Sequence, residues 1–437
     1  MNYRIFPPQG LPEATIHLPL SKSVSNRQLI INALTADAEP LTELADCSDT
    51  RAMRLAFETL GEVRVDQHAE LNVGGAGTAM RFLTAYLAAQ PGLEATIDGD
   101  ERMRHRPIAP LVKALRACGA EIEYLGEEGF PPLKINGKQL AGGEIAVDST
   151  VSSQFVSALL MVAPTMTAPL TLKLEGEPAS RGYINLTVSL MEQAGAKVDA
   201  DRDRIIVEPG RYAACAMKGE RDWSAASYWY EIEALTSGFV TLPGLDGGSR
   251  QPDRAAEQLF ADLGVQTDFE GDEDNDYQPQ LLASPDQTAR FVRDMTLNPD
   301  LVQTVAVTCA MLGIPFRLTG VETLRIKETD RLQALTNELK KIGVEAETIG
   351  DHTLQWLSRR MPILEIPEFD TYGDHRMAMA FAPVAAYIPG IVIRDVEVVE
   401  KSYPGFWDDL RSAGFRLFDA SLPIEEIRRQ LEEDDEQ

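Results

Sequence analysis

The sequence has no run of 18 or more apolar residues of the kind a membrane-spanning helix needs, and Met1 to Gly10 show no basic region followed by an apolar one. A secretory signal is therefore not expected, and a soluble, cytoplasmic protein is. Cysteine is scarce and scattered: Cys47, Cys118, Cys215 and Cys309 form no C-x-x-C pair and have no histidine nearby at ligand spacing. They read as free, mostly buried thiols. Histidine is also rare for a chain this long, at five residues with no metal-like cluster, so neither a metal nor a cofactor is expected.

Positive charge is also short. Lys and Arg number 41 against 68 Asp and Glu, a net charge of −27, which argues against a nucleic-acid partner because phosphate backbones need a broad basic surface. Two acidic runs, Glu270 to Asp276 and Glu432 to Glu436, read as a solvated loop and a frayed terminus. Against this background the basic clusters Arg102-Met103-Arg104-His105-Arg106 and Arg325-Ile326-Lys327 through Arg331 stand out.

What the chain has in quantity is repetition. Leu-rich helical stretches end in a glycine followed by a short alternating strand at Gly61, Gly119, Gly195, Gly264, Gly343 and Gly414. The spacing of roughly 60 to 80 residues exceeds most solenoid repeats and suits a unit of strands and two helices. In several units one helix is almost uniformly apolar (Phe155 to Ala163, Leu301 to Leu312, Met377 to Tyr387), as a helix buried on all sides would be. The other is amphipathic, as Leu332, Leu335, Leu339 and Ile342 show. At 437 residues two domains are the natural expectation, and six units divide into two groups of three with the change near Gly219 to Asp222.

A polar cluster precedes an apolar helical run in each unit: Ser21-Lys22-Ser23, Gly75-Ala76-Gly77-Thr78, Ser152-Ser153-Gln154, Asp222, Asp300 and Asp374-His375-Arg376. Helix starts carry unpaired N–H groups and partial positive charge, so several converging would hold anions. Each cluster also has a plainer reading. Ser21 to Ser25 could simply cap a helix, although Lys22, Ser23 and Arg27 together add a point charge, a hydroxyl and a forked donor. The glycines before Thr78 make either a tight turn or a backbone cradle, and they lack the Lys-Ser/Thr ending of a nucleotide loop. Asp374-His375-Arg376 is either a structural ion pair or a functional group of charges. Lys327-Glu328-Thr329-Asp330-Arg331 could be a salt-bridged surface helix, yet with Asp300 it supplies the acid and base of proton transfer.

In order along nearly the whole chain, from Leu18-Pro19-Leu20-Ser21-Lys22-Ser23 to Lys401-Ser402-Tyr403-Pro404, these segments resemble the 5-enolpyruvylshikimate-3-phosphate synthase family. The most specific are Ala76-Gly77-Thr78-Ala79-Met80-Arg81, Arg325 to Arg331, and Asp374-His375-Arg376-Met377-Ala378-Met379. The resemblance implies an α/β fold of two domains, each an inside-out α/β barrel of three βαβαββ repeats, with helix starts facing one interdomain cleft. Residues 1–19 plus 222–437 would form one domain and 20–221 the other, the first strand joining the later domain. It implies transfer of the enolpyruvyl group of phosphoenolpyruvate to the 5-hydroxyl of shikimate 3-phosphate, with release of phosphate through a tetrahedral intermediate. A monomer is expected, with glyphosate competing against phosphoenolpyruvate.

By the same resemblance Asp300 stands at the 5-hydroxyl, Glu328 handles the methylene proton, and Lys22 touches both substrates. Gly77, Arg106, Arg331, Arg376 and Lys401 match the phosphoenolpyruvate set. Ser23, Arg27, Ser152, Ser153, Gln154, Ser180, Tyr183 and Lys327 match the shikimate 3-phosphate set. Gly75, Thr323 and Gly373 stand where the family often has Asn, and Phe82 where Pro often follows the loop arginine. The segment between Gly61 and Asn72 is short, so the first unit is expected to lack part of its strand pair. The sister enzyme that uses UDP-N-acetylglucosamine has Lys-Asn where this chain has Lys22-Ser23, and a reactive Cys loop not found near Arg106. A non-catalytic binder of phosphorylated metabolites would lack Asp300 and Glu328, and an RNA-end-processing enzyme with related repeats is disfavoured by the charge.

Overall fold

Five of the six recurring glycines take the left-handed backbone that only glycine adopts freely: Gly119, Gly195, Gly264, Gly343 and Gly414 have φ between 74° and 95°. The sixth differs. The second helix runs through Gly61 to Glu62, so this glycine lies inside a helix rather than after it. A computed structural model of the chain describes residues 1–62, 68–176, 180–269 and 278–435, and the acidic run Glu270 to Asp276 lies outside the described residues.

The chain opens with β1 (Tyr3–Phe6) and β2 (Glu13–Thr15), then α1 (Lys22–Ala33) and α2 (Ser48–Glu62). It continues β3 (His68–Asn72), α3 (Gly77–Ala88), β4 (Glu94–Asp98), α4 (Ala109–Ala117), β5 (Glu121–Tyr124) and β6 (Leu133–Asn136). Next come β7 (Gly143–Asp148), α5 (Ser153–Val162), β8 (Leu170–Glu175), α6 (Arg181–Gln193), β9 (Val198–Ala200) and β10 (Arg204–Val207). The pattern repeats as α7 (Trp223–Thr236), β11 (Phe239–Thr241), α8 (Ala256–Ala261), β12 (Leu263–Asp268) and β13 (Gln280–Gln287). It repeats again as β14 (Phe291–Asp294), α9 (Val302–Leu312), β15 (Phe316–Thr319), α10 (Arg331–Lys341), β16 (Glu347–Ile349) and β17 (Thr353–Trp356). The last stretch is β18 (Glu368–Phe369), α11 (His375–Phe381), β19 (Ile391–Ile393), α12 (Phe406–Ser412), β20 (Arg416–Asp419) and α13 (Ile424–Asp435). Helix α13 therefore reaches Asp435, and the acidic tail is ordered as helix to that point rather than frayed.

One topology recurs. The sheets β3-β4-β6-β5, β7-β8-β10-β9 and β14-β15-β17-β16 each hold a parallel pair joined by a helical crossover, followed by a helix and an antiparallel hairpin; β2-β11-β13-β12 has the same order, but between β2 and α7 the chain runs through the whole of residues 20–220. These are four βαβαββ units. The fifth sheet, β18-β19-β1-β20, reaches the same order by borrowing β1 from the start of the chain, in register from Tyr3 opposite Asp419 to Phe6 opposite Arg416. The expected sixth repeat has α1 and α2 but no sheet of its own among the described residues. Strand burial alternates, as in β3 and β7, because only one sheet face packs on the helices.

By internal contacts the chain divides into two units: Met1–Pro19, Arg221–Ser249 and Asp253–Gln437 make one, and Leu20–Glu220 with Arg250–Pro252 the other. Each has its own apolar core. In the unit containing both termini, α7, α9 and α11 pack on one another and are buried around most of their circumference. In the other unit, α1, α3 and α5 do the same. A seam of side chains fixes the direction of two of them: Ser227 Oγ lies 3.4 Å from Thr304 Oγ1, and one turn further on Glu231 lies beside Thr308. Matching residues thus advance together, and α7 and α9 run parallel with their N-termini at one end. Cys47, Cys118 and Cys309 are buried and Cys215 is exposed, all as free thiols. Among the described residues no helix is long and apolar enough to cross a membrane.

Helix α7 carries two acidic residues into the core, Glu231 and Glu233, both fully buried. Burial pushes Glu231 well above the ordinary carboxylate value, against a smaller pull from Thr308, and pushes Glu233 up to about 7. A carboxyl that keeps its proton only when folded gives stability that is complete below its unfolded pKa and is lost as pH rises through the folded one. For Glu233 that loss runs from its ordinary 4.5 to about 7 and amounts to roughly 3 kcal/mol by pH 8. Glu233→Gln should therefore match the wild type near pH 4.5 and melt several degrees higher at pH 8. Thermal unfolding curves across that range check this, and a constant difference in Tm at all pH values would refute it.

Candidate active site

In the unit with both termini, the starts of α9, α10 and α11 are tied together through Arg331. This first residue of α10 is only 1% exposed. Its Nη1 donates to Asp300 Oδ1 at 2.9 Å, its Nη2 to Glu328 Oε2 at 2.8 Å, and its Nε to Asp374 Oδ2 at 2.6 Å. Asp300 stands in the 3₁₀ turn Pro299–Leu301 that leads into α9. Asp374 is the N-cap of α11, accepting from the Arg376 backbone N–H at 3.0 Å, and so serves a helix start and a guanidinium at once.

The remaining predicted residues gather around this knot. Arg376 Nη2 donates to Asp300 Oδ2 at 3.0 Å and its Nη1 to the Tyr228 hydroxyl at 3.4 Å. Lys327 Nζ lies 3.6 Å from Asp300, and Lys401 Nζ lies 3.8 Å from Glu328. Four cations thus meet three carboxylates here. Burial alone would raise the pKa of Asp300, but Arg376, Lys327 and Arg331 outweigh it and hold the carboxyl well below the usual range. Burial likewise works against the charge on Arg331, and Asp374, Glu328 and Asp300 more than restore it.

The other unit presents a second group. Lys22, in the first turn of α1, has its Nζ 3.2 Å from Asp49. The Arg27 fork is turned inward, donating to Thr187 at 2.7 Å, to the Ser23 carbonyl at 2.8 Å, and to Ser157 and the Tyr183 carbonyl at 3.3 Å. It also lies 5.2 Å from the Phe82 ring centre and 5.6 Å from that of Tyr183. Phe82, one of the departures from the family pattern, therefore supplies a cation–π face beneath Arg27. Burial lowers the pKa of Arg27 to about 10. Ser152 caps α5 by accepting from the Gln154 N–H at 3.2 Å, and the Gln154 amide reaches Thr78 at 3.1 Å, joining the starts of α5 and α3. Ser153 is buried in the first turn of α5, and Ser180, at φ +56°, precedes α6.

At the start of α3 the absence of a side chain matters. A Cβ on Gly77 would stand 2.7 Å from Nη1 and 2.8 Å from Nη2 of Arg106, so glycine lets the guanidinium lie over this helix start. Arg106 is 7% exposed and its Nε, fully shielded, has no hydrogen-bond partner among the described residues. A guanidinium and a helix N-terminus placed together both favour negative charge nearby.

The sequence reading missed several participants. Asp49, Tyr228 and Thr187 lie far along the chain from the groups they serve and stand in no motif. Asp253 is also new: it is buried, it accepts from the Ser224 hydroxyl, and burial followed by the nearby Asp300 charge pushes it to about 6, against Arg376. Gly373, at φ +69°, is left-handed, a conformation that Asn also tolerates, so this departure preserves the turn. Thr323 lies in the 3₁₀ turn Glu322–Ile326. Among the described residues no group of His, Cys, Asp and Glu is arranged to hold a metal ion.

Repeated βαβαββ units, with cations and paired carboxylates collected at the starts of their inner helices, define an α/β protein with charged helix starts. The family model described as EPSP synthase (3-phosphoshikimate 1-carboxyvinyltransferase) matches residues 8–410. A 3-phosphoshikimate 1-carboxyvinyltransferase of Bacteroides fragilis is 47% identical over 419 residues, covering 95% of this chain and 99% of that protein. One from Vibrio campbellii is 35% identical, covering 92% of this chain and 96% of its own length. The solved EPSP synthase of Acinetobacter baumannii superposes with a TM-score of 0.74 at 23% identity, over 96% of this chain and all of that one, and so shares the fold. The chain belongs to the EPSP synthase family.

Proposed function

We propose that this chain transfers the enolpyruvyl group of phosphoenolpyruvate to the 5-hydroxyl of shikimate 3-phosphate, releasing phosphate, as a step in making aromatic amino acids. The observation that carries the reading is the meeting of Asp300 and Glu328 on Arg331, in a chain nearly half identical to relatives named for this reaction. Residues 1–19 and 222–437 form one inside-out α/β barrel and residues 20–221 another.

The carboxylates explain how the free site keeps its cations without substrate. Asp300, Glu328 and Asp374 occupy Arg331, and Asp300 occupies Arg376. The phosphate and carboxylate of phosphoenolpyruvate compete with these carboxylates for Arg376, Lys401 and Arg331, while Arg106 and the Gly77 N–H take the remaining oxygens. Bidentate forks fit both groups. As the substrate draws these cations off, Asp300 regains basicity and can take the proton of the 5-hydroxyl.

Chemistry then runs in two steps. As Arg331 and Lys401 turn to the substrate, Glu328 takes up a proton from solvent; the 5-hydroxyl then gives its proton to Asp300 and its oxygen attacks C2 while C3 accepts the proton of Glu328, giving the tetrahedral adduct. The C2–phosphate bond next breaks while C3 returns a proton, leaving the enol ether and inorganic phosphate. Lys22, paired with Asp49 in the free protein, screens the charge of both substrates. Ser23, Ser152, Ser153, Gln154, Ser180 and Tyr183 read the hydroxyls and phosphate of shikimate 3-phosphate, with Lys327 at the ring and Arg27 bracing the pocket wall.

The test is phosphate release from phosphoenolpyruvate with shikimate 3-phosphate, beside UDP-N-acetylglucosamine as acceptor. Release with the first acceptor alone is expected, and Asp300→Asn should lower kcat by about a hundredfold or more, the usual loss for a proton-transfer group. Release with the UDP-sugar, or tight binding of both substrates without turnover, would overturn the assignment.

Gly77→Ala probes the donor side. Its methyl must displace the Arg106 guanidinium, which weakens phosphoenolpyruvate and should weaken the longer competitor glyphosate roughly tenfold more, a difference of about 1.4 kcal/mol. Steady-state inhibition kinetics read this directly, and equal increases in KM and in the inhibition constant would refute it.

A further inference from the structure

The loop that delivers Asp374 and Arg376 stands in a backbone conformation that its sequence does not favour. Tyr372 has φ +55° and Gly373 φ +69°. Two successive left-handed residues suit glycine, but at tyrosine they press Cβ against the backbone. Burial does not hold Tyr372 there, because its side chain is 38% exposed. Its hydroxyl is anchored instead: it donates to Glu338 Oε1 at 2.8 Å and receives Asn337 Nδ2 at 3.4 Å.

Glu338 is a fully buried carboxylate on α10. Its Oε2 accepts the Asp370 backbone N–H at 3.0 Å and lies 2.8 Å from Lys341 Nζ. Lys341 reaches the same loop, at Asp370 Oδ2 and at the Glu368 carbonyl. Two turns before Glu338, on the same side of the helix, Arg331 holds Asp374. One rigid helix therefore grips residues 370 and 372 with Glu338 and residue 374 with Arg331. The strained turn lies between the two grips.

We propose that Glu338 and Tyr372 are positioning residues for the reaction: their hydrogen bond holds the left-handed turn that seats Asp374 on Arg331 and so aims Arg376 at the anionic donor substrate. The inference rests on the assignment of Arg376 to phosphoenolpyruvate. Neither residue touches substrate. Their work is to keep the first residues of α11 from swinging when the carboxylates of the free site give up their cations.

Substitutions at Tyr372 separate this role from plain stability, because its ring is exposed and its removal leaves no core cavity. Tyr372→Phe, which keeps the ring and loses the anchor, should raise KM for phosphoenolpyruvate about tenfold with kcat and the shikimate 3-phosphate KM nearly unchanged. Tyr372→Ala should do at least as much. Tyr372→Gly should come within about threefold of wild type, because glycine adopts the turn without an anchor. Hydrogen exchange at the amides of residues 372–376 gives a readout independent of activity: faster in Phe and Ala, restored in Gly. Equal impairment in Gly and Ala, or parallel rises in both KM values with a fall in Tm, would overturn the proposal. A failure of the functional reading shows separately, as a wild type that releases no phosphate while the exchange pattern persists.

Discussion

A guanidinium almost wholly removed from water must be surrounded by negative charge, and Arg331 is surrounded by three carboxylates from three separate helix starts. Unpaired, such a charge would cost several kcal/mol, and losing one partner of a buried pair commonly costs about 3 to 5 kcal/mol. That constraint explains why Asp300, Glu328 and Asp374 converge although 74 residues of sequence separate the first from the last. It also sets the electrostatics of the group. Around the paired Arg331, the further cations Lys327, Arg376 and Lys401 stand close together.

The fold makes this possible by repetition. Each βαβαββ unit sends its inner helix the same way relative to its own sheet, so three units packed around one another bring three helix starts to one end. The parallel seam between α7 and α9 is direct evidence of this in one unit. In the other, the Gln154 bond to Thr78 ties the starts of α5 and α3. The N-terminal strand β1 completes the sheet of β18, β19 and β20, so the last repeat closes only when the first residues of the chain return to it.

Much of this was legible because it is local. Capping residues, the glycines after amphipathic helices and the uniformly apolar helices each follow from the chemistry of a few neighbouring residues, and the helix cores fall where the apolar periodicity put them. Gly61 misled because a glycine in the last turn of a helix and a glycine just after one look alike in sequence. Partnerships across the fold were out of reach. Nothing near Lys22 announces Asp49, nothing near Arg27 announces Thr187, and nothing in the sequence announces that Glu231 and Glu233 are buried. The family motifs single out Arg331, yet its place at the centre of a carboxylate knot is a three-dimensional fact.

The central claim is that the cations now held by Asp300, Glu328 and Asp49, together with Arg106 over Gly77, are the places the substrates' negative groups take. A crystal structure of the protein grown with shikimate 3-phosphate and an unreactive analogue of phosphoenolpyruvate tests it most directly. The account predicts phosphate or carboxylate oxygens of the analogue within hydrogen-bond reach of Arg106, Arg376 and Lys401, with Lys22 close to both ligands. Both ligands bound away from these residues, with the Arg331 knot and the Gly77 helix start untouched, would contradict it.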